Sequence, residues 1–186
     1  MQQELAQRRG RGSVIVTGIP GSGKSTIARA LAGRQPIGAH LDIDVLYQLI
    51  VDGIVFRADS PPEDWWQLRL ARRHVGMLAT SFAEHGILPI IDDVIADRGV
   101  LDDYLRTLPA PCRLIMLAPS VESALRRDAA REKQVAAPWA YLAQPMAEAL
   151  TGIGLWLDTS ELDVKATVEL ILAGWERALI KTGTRP

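Results

Sequence analysis

Nine consecutive residues, Gly18-Ile19-Pro20-Gly21-Ser22-Gly23-Lys24-Ser25-Thr26, have the types and spacing to grip a chain of phosphates. The pattern is G-x-x-x-x-G-K-S, a P-loop motif. Its glycines let the backbone curl until successive N–H groups point into one concavity, a nest for anions. A helix starting near Lys24 adds unpaired N–H groups and the positive end of its dipole. Lys24 can then reach β- and γ-phosphates, and the Ser25 hydroxyl is placed to ligate Mg²⁺. The alternative is a glycine turn that only joins a strand to a helix.

Further residues could complete a phosphoryl-transfer site. Asp42-Ile43-Asp44 follows a short apolar stretch, and alternation along an extended chain turns both carboxylates the same way. Such a pair can hold the water shell of Mg²⁺ and take the proton of an attacking hydroxyl. Alternatively, Asp44 caps a helix opening at Val45. Asp92 and Asp93 close another apolar run. Adjacent strand residues face opposite ways, and Asp92, directly after the run, is favoured as the one beside the metal. Otherwise both are turn residues. Arg127 and Arg131 lie one helical turn apart and can stabilise the charge on a migrating phosphoryl group, with Lys133 joining them. A solvated basic face is the alternative. Trp65, Trp66, Arg69, Arg72 and Arg73 could wall an acceptor site. His40, His74 and His85 have no metal-ligand spacing and receive no role.

The elements that must position these groups alternate. Val14–Thr17 reads as a strand and 27–32 as a helix stopped by Gly33. A strand over 37–41 precedes a helix over 45–51. Ser60-Pro61-Pro62-Glu63 reads as a capping box opening a helix through Trp65, Leu68, Val75, Leu78 and Phe82 to Gly86. Residues 87–91 form a strand, weakened by Pro89, followed by a helix over 99–108. Cys112–Leu117 is an apolar strand of the kind buried on both faces. Ser120 caps the next helix, 138–150 is helical to a stop at Gly152, and 155–157 is the last strand. Ser160 caps a final helix whose face includes Val164, Val168, Ile171, Leu172 and Trp175. Five strands alternating with helices predict a parallel sheet covered on both faces, with ligands beyond the carboxyl ends of its strands.

Composition narrows the partners. The 186 residues suit one domain over 13–186, behind a polar, flexible leader at 1–12. A net charge of −1 argues against a nucleic-acid binder working through a global basic field. The single cysteine, Cys112, precludes an intramolecular disulfide and reads as a buried thiol. No apolar run approaches the ~18 residues of a membrane span. A cytoplasmic protein, monomeric or homodimeric, is expected, with no membrane or nucleic-acid partner.

With these motifs assembled, the chain resembles the small P-loop kinases of the nucleoside-monophosphate-kinase-like superfamily. The likeness rests on Gly18–Thr26, the Asp42-Ile43-Asp44 strand end and Arg126-Arg127-x-x-x-Arg131, and extends from about Ser13 to Ala173. Within it, Asp44-Val45-Leu46 and Leu155-Trp156-Leu157-Asp158-Thr159-Ser160 look most like chloramphenicol phosphotransferase-like proteins. Asp92-Asp93 stands where shikimate kinases carry a glycine triplet. The resemblance implies a three-layer P-loop kinase fold with an arginine-bearing lid, using ATP and Mg²⁺ to phosphorylate a small-molecule hydroxyl. Residues 18–26 and Arg127 would bind nucleotide, Asp44 would act as base, and Ser25 with Asp42 or Asp92 would support the metal. Lys24, Arg127 and Arg131 would stabilise the transferring group. An antibiotic bearing a free hydroxyl is the first acceptor to test. The alternatives are a metabolic kinase of a sugar acid or nucleoside, and a regulatory nucleotide switch with no acceptor.

Overall fold

The computed structural model describes residues 12–55, 61–130 and 134–181. Among them, five strands make one sheet: β1 (Ser13–Thr17), β2 (Gly38–Asp42), β3 (Leu88–Asp92), β4 (Cys112–Leu117) and β5 (Leu155–Leu157). Their order is β2-β3-β1-β4-β5, and every neighbouring pair is parallel. The helices are α1 (Lys24–Gly33), α2 (Ile43–Tyr47), α3 (Trp66–Glu84), α4 (Arg98–Thr107), α5 (Val121–Ala129), α6 (Ala143–Leu150) and α7 (Val164–Ala173). This is the expected three-layer α/β architecture.

Alternation along the buried strands builds two cores. Val14, Val16, Ile90, Ile115 and Leu117 pack with Ile27 and Leu31 of α1 and with Val168 and Ile171 of α7. Ile15, Ile91, Leu114 and Met116 face the other way, onto Val75 of α3, Leu101 and Tyr104 of α4, and Met146 of α6. Small residues set the spacing of α3. Ala71, Gly76 and Ala79 are buried, and a Cβ on Gly76 would stand 3.2 Å from the Thr107 side chain of α4. Leu78, expected inward, is exposed.

Pro89 sits in an interior strand without breaking it. Leu88 donates its N–H to the Ile37 carbonyl on the β2 side. Alternation turns the position of the missing Pro89 donor toward β1, whose pairing with β3 begins only at Val14 opposite Ile90.

Several helix ends differ from expectation. α1 runs through Gly33, which lacks a positive φ, and ends on Arg34. Gly86 and Gly152 do adopt left-handed conformations beyond α3 and α6. The helix expected from Ser60 opens later, with a 3₁₀ turn over Pro62–Trp65 behind an extended Pro61. Ser60 itself lies outside the described residues. Ser120 caps α5 through the Ser123 N–H. Asp163, not Ser160, caps α7, because Ser160 is held in a turn by the Asp158 carboxylate. Residues 1–11 of the expected leader lie outside the described part.

Burial ranks the apolar residues energetically. Leu114 is fully buried, so Leu114→Ala is expected to cost about 2–5 kcal/mol in urea unfolding. Leu49 is 68% exposed, and Leu49→Ala should stay within about 0.5 kcal/mol of the unsubstituted protein.

Candidate active site

The loop after β1 is shaped by three glycines in backbone regions closed to other residues: Gly18 (φ 149°), Gly21 (φ 84°) and Gly23 (φ 95°). Packing reinforces two of them. A Cβ on Gly18 would lie 2.4 Å from the Leu117 carbonyl oxygen, and one on Gly21 would lie 2.5 Å from that of Ala124. The loop is thereby seated against the end of β4 and against α5. Gly23 precedes α1, whose first turn has neither a side-chain cap nor an acidic residue. Its leading N–H groups are available to an anion. The Lys24 ammonium donates across the loop to the Ile19 carbonyl at 3.3 Å. Ser25 and Thr26 are open to solvent at the helix start, whereas the Ser22 hydroxyl is buried without a partner. A concave loop of amides beside an ammonium, with one hydroxyl still unsatisfied, fits the phosphates of a nucleotide.

The acidic groups gather beside this loop, with one correction to how they do so. β2 ends at Asp42, so strand alternation does not carry on to Asp44. Asp42 caps α2 instead, its Oδ1 accepting from the Asp44 and Val45 N–H groups at 2.9 and 3.4 Å. Capping belongs to Asp42 rather than Asp44 because the chain turns helical one residue after the strand. Asp44 then lies in the first turn of α2, free of that duty. It is open to solvent, yet loss of hydration is the largest influence on its carboxyl and raises the pKa above the usual 3.8. Asp42 adds to the rise, Lys24 opposes it, and Asp93 and Asp92 contribute further. Those influences place Asp44 within electrostatic reach of the phosphate-loop lysine and of the β3 terminus.

The two aspartates ending β3 point apart, as pleating requires. Asp92 lies beside Asp42 in the sheet register, and its Oδ2 accepts from His40 Nε2 at 2.7 Å in the tautomer that carries the proton there. Asp93 turns the other way. It receives Arg72 Nε at 2.6 Å, the Tyr104 hydroxyl at 3.0 Å and the Val94 N–H at 2.7 Å. Burial disfavours the Arg72 charge, but the Asp93 charge and hydrogen bond outweigh it and hold the guanidinium above its ordinary range. Burial, then Asp93, pushes the Tyr104 hydroxyl well up. Asp93 is thus a structural anion, and Asp92 faces the cluster with Asp42.

The donors suit magnesium. Potential ligand atoms of His40, Asp42 and Asp92 lie within 4.8 Å of one another. The two carboxylates are hard oxygen donors of the kind Mg²⁺ prefers, and His40 is the hydrogen-bond partner of Asp92. His40 has no metal-ligand spacing to the other histidines, yet a signal is there. His40 and Asp42 are two apart on one strand and share a face. Gln67 was also overlooked. It is buried on α3, accepts from Tyr47 and the Val55 N–H, and donates to the Gly53 carbonyl, tying down the chain after α2. No pattern marks it, since its value comes entirely from what meets it.

Among the arginines, Arg127 Nη2 donates to the carbonyls of Thr159, Ser160 and Leu162 and so braces the turn after β5. Its helix ends at Ala129, leaving Arg131 and Lys133 outside the described residues. The neighbouring Asp128 is buried and accepts from the Val135 and Ala136 N–H groups at 2.8 and 2.7 Å, fixing where the chain returns. A Cβ on Gly21 would come within 3.3 Å of Ala136, so that return point packs on the phosphate loop. Cys112 is buried, and burial pushes its thiol up to about 11. His74 and His85 lie on or beside α3, outside this cluster. No helix among the described residues is long and apolar enough to cross a membrane.

Comparison with solved structures shows the P-loop kinase fold. An unliganded sugar kinase from Janibacter sp. HTCC2649 superposes with a TM-score of 0.64 at 24% identity, covering 89% of this chain and 95% of the other. A gluconokinase from Sinorhizobium meliloti 1021 gives 0.63 at 19% identity, covering 91% and 94%. A shikimate kinase from Bacteroides thetaiotaomicron gives 0.65 at 14% identity, covering 88% and 98%. No curated protein sequence matches the chain. One family does match over residues 14–148, most of the chain and all of the site described above: the protein belongs to the AAA domain family AAA_33.

Proposed function

We propose that this protein is a phosphotransferase that moves the γ-phosphoryl group of ATP to a hydroxyl of a small molecule. The observation that carries the proposal is the placement of Asp44, in the first turn after β2, at the same end of the sheet as the phosphate loop, where Lys24 acts on its carboxyl. In-line transfer needs those two functions side by side, one holding the phosphates and one readying the alcohol. The superposed sugar kinase, gluconokinase and shikimate kinase give the same reaction class independent support.

In this reading the backbone amides of Gly18–Thr26 and the first turn of α1 hold the phosphates and keep water from them. Lys24 stabilises the charge on the β- and γ-phosphate oxygens. Asp44 takes the acceptor's hydroxyl proton as the oxygen bonds to the γ-phosphorus and the bridge to the β-phosphate breaks, releasing ADP. Its raised pKa makes it a stronger base than an ordinary aspartate. When bound, Mg²⁺ neutralises phosphate charge, held by Ser25 with Asp42 or Asp92. Arg131 is the remaining candidate for a guanidinium at the transferring group, since Arg127 is engaged elsewhere. The acceptor classes are an antibiotic-like alcohol, from the likeness to chloramphenicol phosphotransferase-like proteins, or a sugar acid, which the named neighbours favour.

Labelled ATP incubated with a panel of hydroxylated acceptors tests the reaction. Lys24→Ala is expected to weaken ATP binding at least tenfold by calorimetry, the worth of about one charged hydrogen bond. Asp44→Asn should keep ATP affinity and lose roughly a hundredfold or more in kcat. Equal turnover by Asp44→Asn and the parent would remove the base assignment.

Asp44 also makes a stability prediction. A carboxyl whose folded pKa is raised costs stability once ionised, and that cost grows as pH rises through the folded value. In metal-free buffer Asp44→Asn should therefore have the higher melting temperature at pH 7. The advantage should vanish below the ordinary 3.8, where Asp44 is protonated folded or unfolded. Thermal melts at both pH values check this.

A further inference from the structure

His40, Asp42 and Asp92 stand together on two neighbouring parallel strands. His40 and Asp42 share a face of β2, and Asp42 is directly opposite Asp92 of β3. Both carboxylates have coordinating capacity left. Asp42 spends Oδ1 on the α2 cap, and its Oδ2 has no hydrogen bond among the described residues. Asp92 is only 3% exposed, yet its Oδ1 meets no donor among those residues and still reaches open space. No lysine or arginine among them pairs with either carboxylate, whereas the adjacent Asp93 has Arg72. A carboxylate so buried, with one oxygen to spare and no cationic side chain beside it, calls for a positive charge from outside the chain.

His40 bears on which cation that is. Its Nε2 lies 2.7 Å from Asp92 Oδ2, and ligand atoms of the three side chains lie within 4.8 Å of one another. Neighbouring ligand atoms on one ion, each bonded at about 2.0–2.1 Å, sit roughly 3 Å apart, so a small shift lets an ion replace the proton between imidazole and carboxylate. Mg²⁺ prefers oxygen donors and water, whereas imidazole beside carboxylates suits the later first-row ions. We propose that His40, Asp42 and Asp92 form a binding site for a transition ion of the Zn²⁺ class, with Nε2 as a ligand, and that the nucleotide-free chain takes such an ion in preference to Mg²⁺. Three protein ligands leave a fourth tetrahedral position for water or a phosphate oxygen. The same carboxylates are offered to Mg²⁺ in the phosphotransferase reading, so the two ions compete for one place, but loading of the nucleotide-free chain does not require that reading.

The test adds Zn²⁺ or Mg²⁺ to the full nucleotide-free chain and follows it by calorimetry and by the imidazole nitrogen resonances of its three histidines. His74 and His85 are exposed, so His74→Gln and His85→Gln assign their resonances without disturbing the fold. Zn²⁺ should bind about tenfold or more tightly than Mg²⁺ and move the His40 Nε2 resonance, leaving those of His74 and His85 in place. His40→Asn should weaken Zn²⁺ about tenfold or more and Mg²⁺ by much less. The resonance shift is read on a chain that keeps all three ligands, so it does not depend on that variant folding. Absence of Zn²⁺ binding, equal affinity for the two ions, or movement of His74 or His85 in place of His40 would each overturn the assignment. So would parallel losses of both ions in His40→Asn, which would leave His40 only a support for Asp92. Failure of ATP-dependent transfer would not touch the metal result, and failure of Zn²⁺ to bind would leave a Mg²⁺-dependent transferase standing.

Discussion

Everything at this site depends on backbone amides being aimed at one point, and that aim is enforced by steric exclusion. Gly18 and Gly21 have no room for a side chain because carbonyl oxygens of β4 and α5 stand where a Cβ would go. A glycine loop in isolation is merely flexible and loses more conformational entropy on ordering than any other residue type. Here the neighbours hold it in one curled shape, so the ordering cost is met during folding and not at the moment of binding. The sheet order matters for the same reason. Placing β1 between β3 and β4 puts the loop among the strand ends that carry Asp92 on one side and lead into α5 on the other.

The pleat of β3 solves a problem of charge. Asp92 and Asp93 are adjacent and both buried, an arrangement that would be costly if they shared one environment. Facing opposite ways, they acquire different partners. Asp93 is neutralised by Arg72 and bonded by Tyr104. Among the described residues Asp92 has His40 opposite, plus a second carboxylate at Asp42. A cluster that keeps uncompensated negative charge is poised for a cation, and the hard oxygens there select among cations. The raised pKa of Asp44 comes first from lost hydration, and the same crowding of Asp42, Asp93 and Asp92 adds to it.

Much of this was legible before any coordinates, and what was missed has a common cause. The phosphate loop, the strand over Cys112–Leu117 and the Ser120 cap are written in local chemistry: spacing, apolar continuity and a hydroxyl before a helix. Interactions between distant elements are not. His40 finds Asp92 across 52 residues and Arg127 finds the Thr159 carbonyl across 32, and no periodicity encodes either meeting. Asp42, and not Asp44, caps α2 because a shift of one residue in where β2 ends decides which carboxylate caps and which is left over. Ser160 failed as a cap for a similar reason, being captured by Asp158 in a turn before α7 could begin.

Arg127 shows how a correct location can carry a different duty. Its helix does run beside the phosphate loop, since Ala124 of α5 lies against Gly21. Yet three carbonyls from the turn after β5 converge on one guanidinium nitrogen. Those carbonyls would otherwise face one another with like-oriented dipoles, so the arginine stabilises the turn by giving them a shared donor. Asp128, the next residue, does the complementary task with an anion, gathering two N–H groups where the chain returns to the loop. Consecutive charges of opposite sign thus fix both flanks of α5, one through carbonyls and one through amides. The phosphate loop then rests on a helix whose C-terminal end is pinned by both residues.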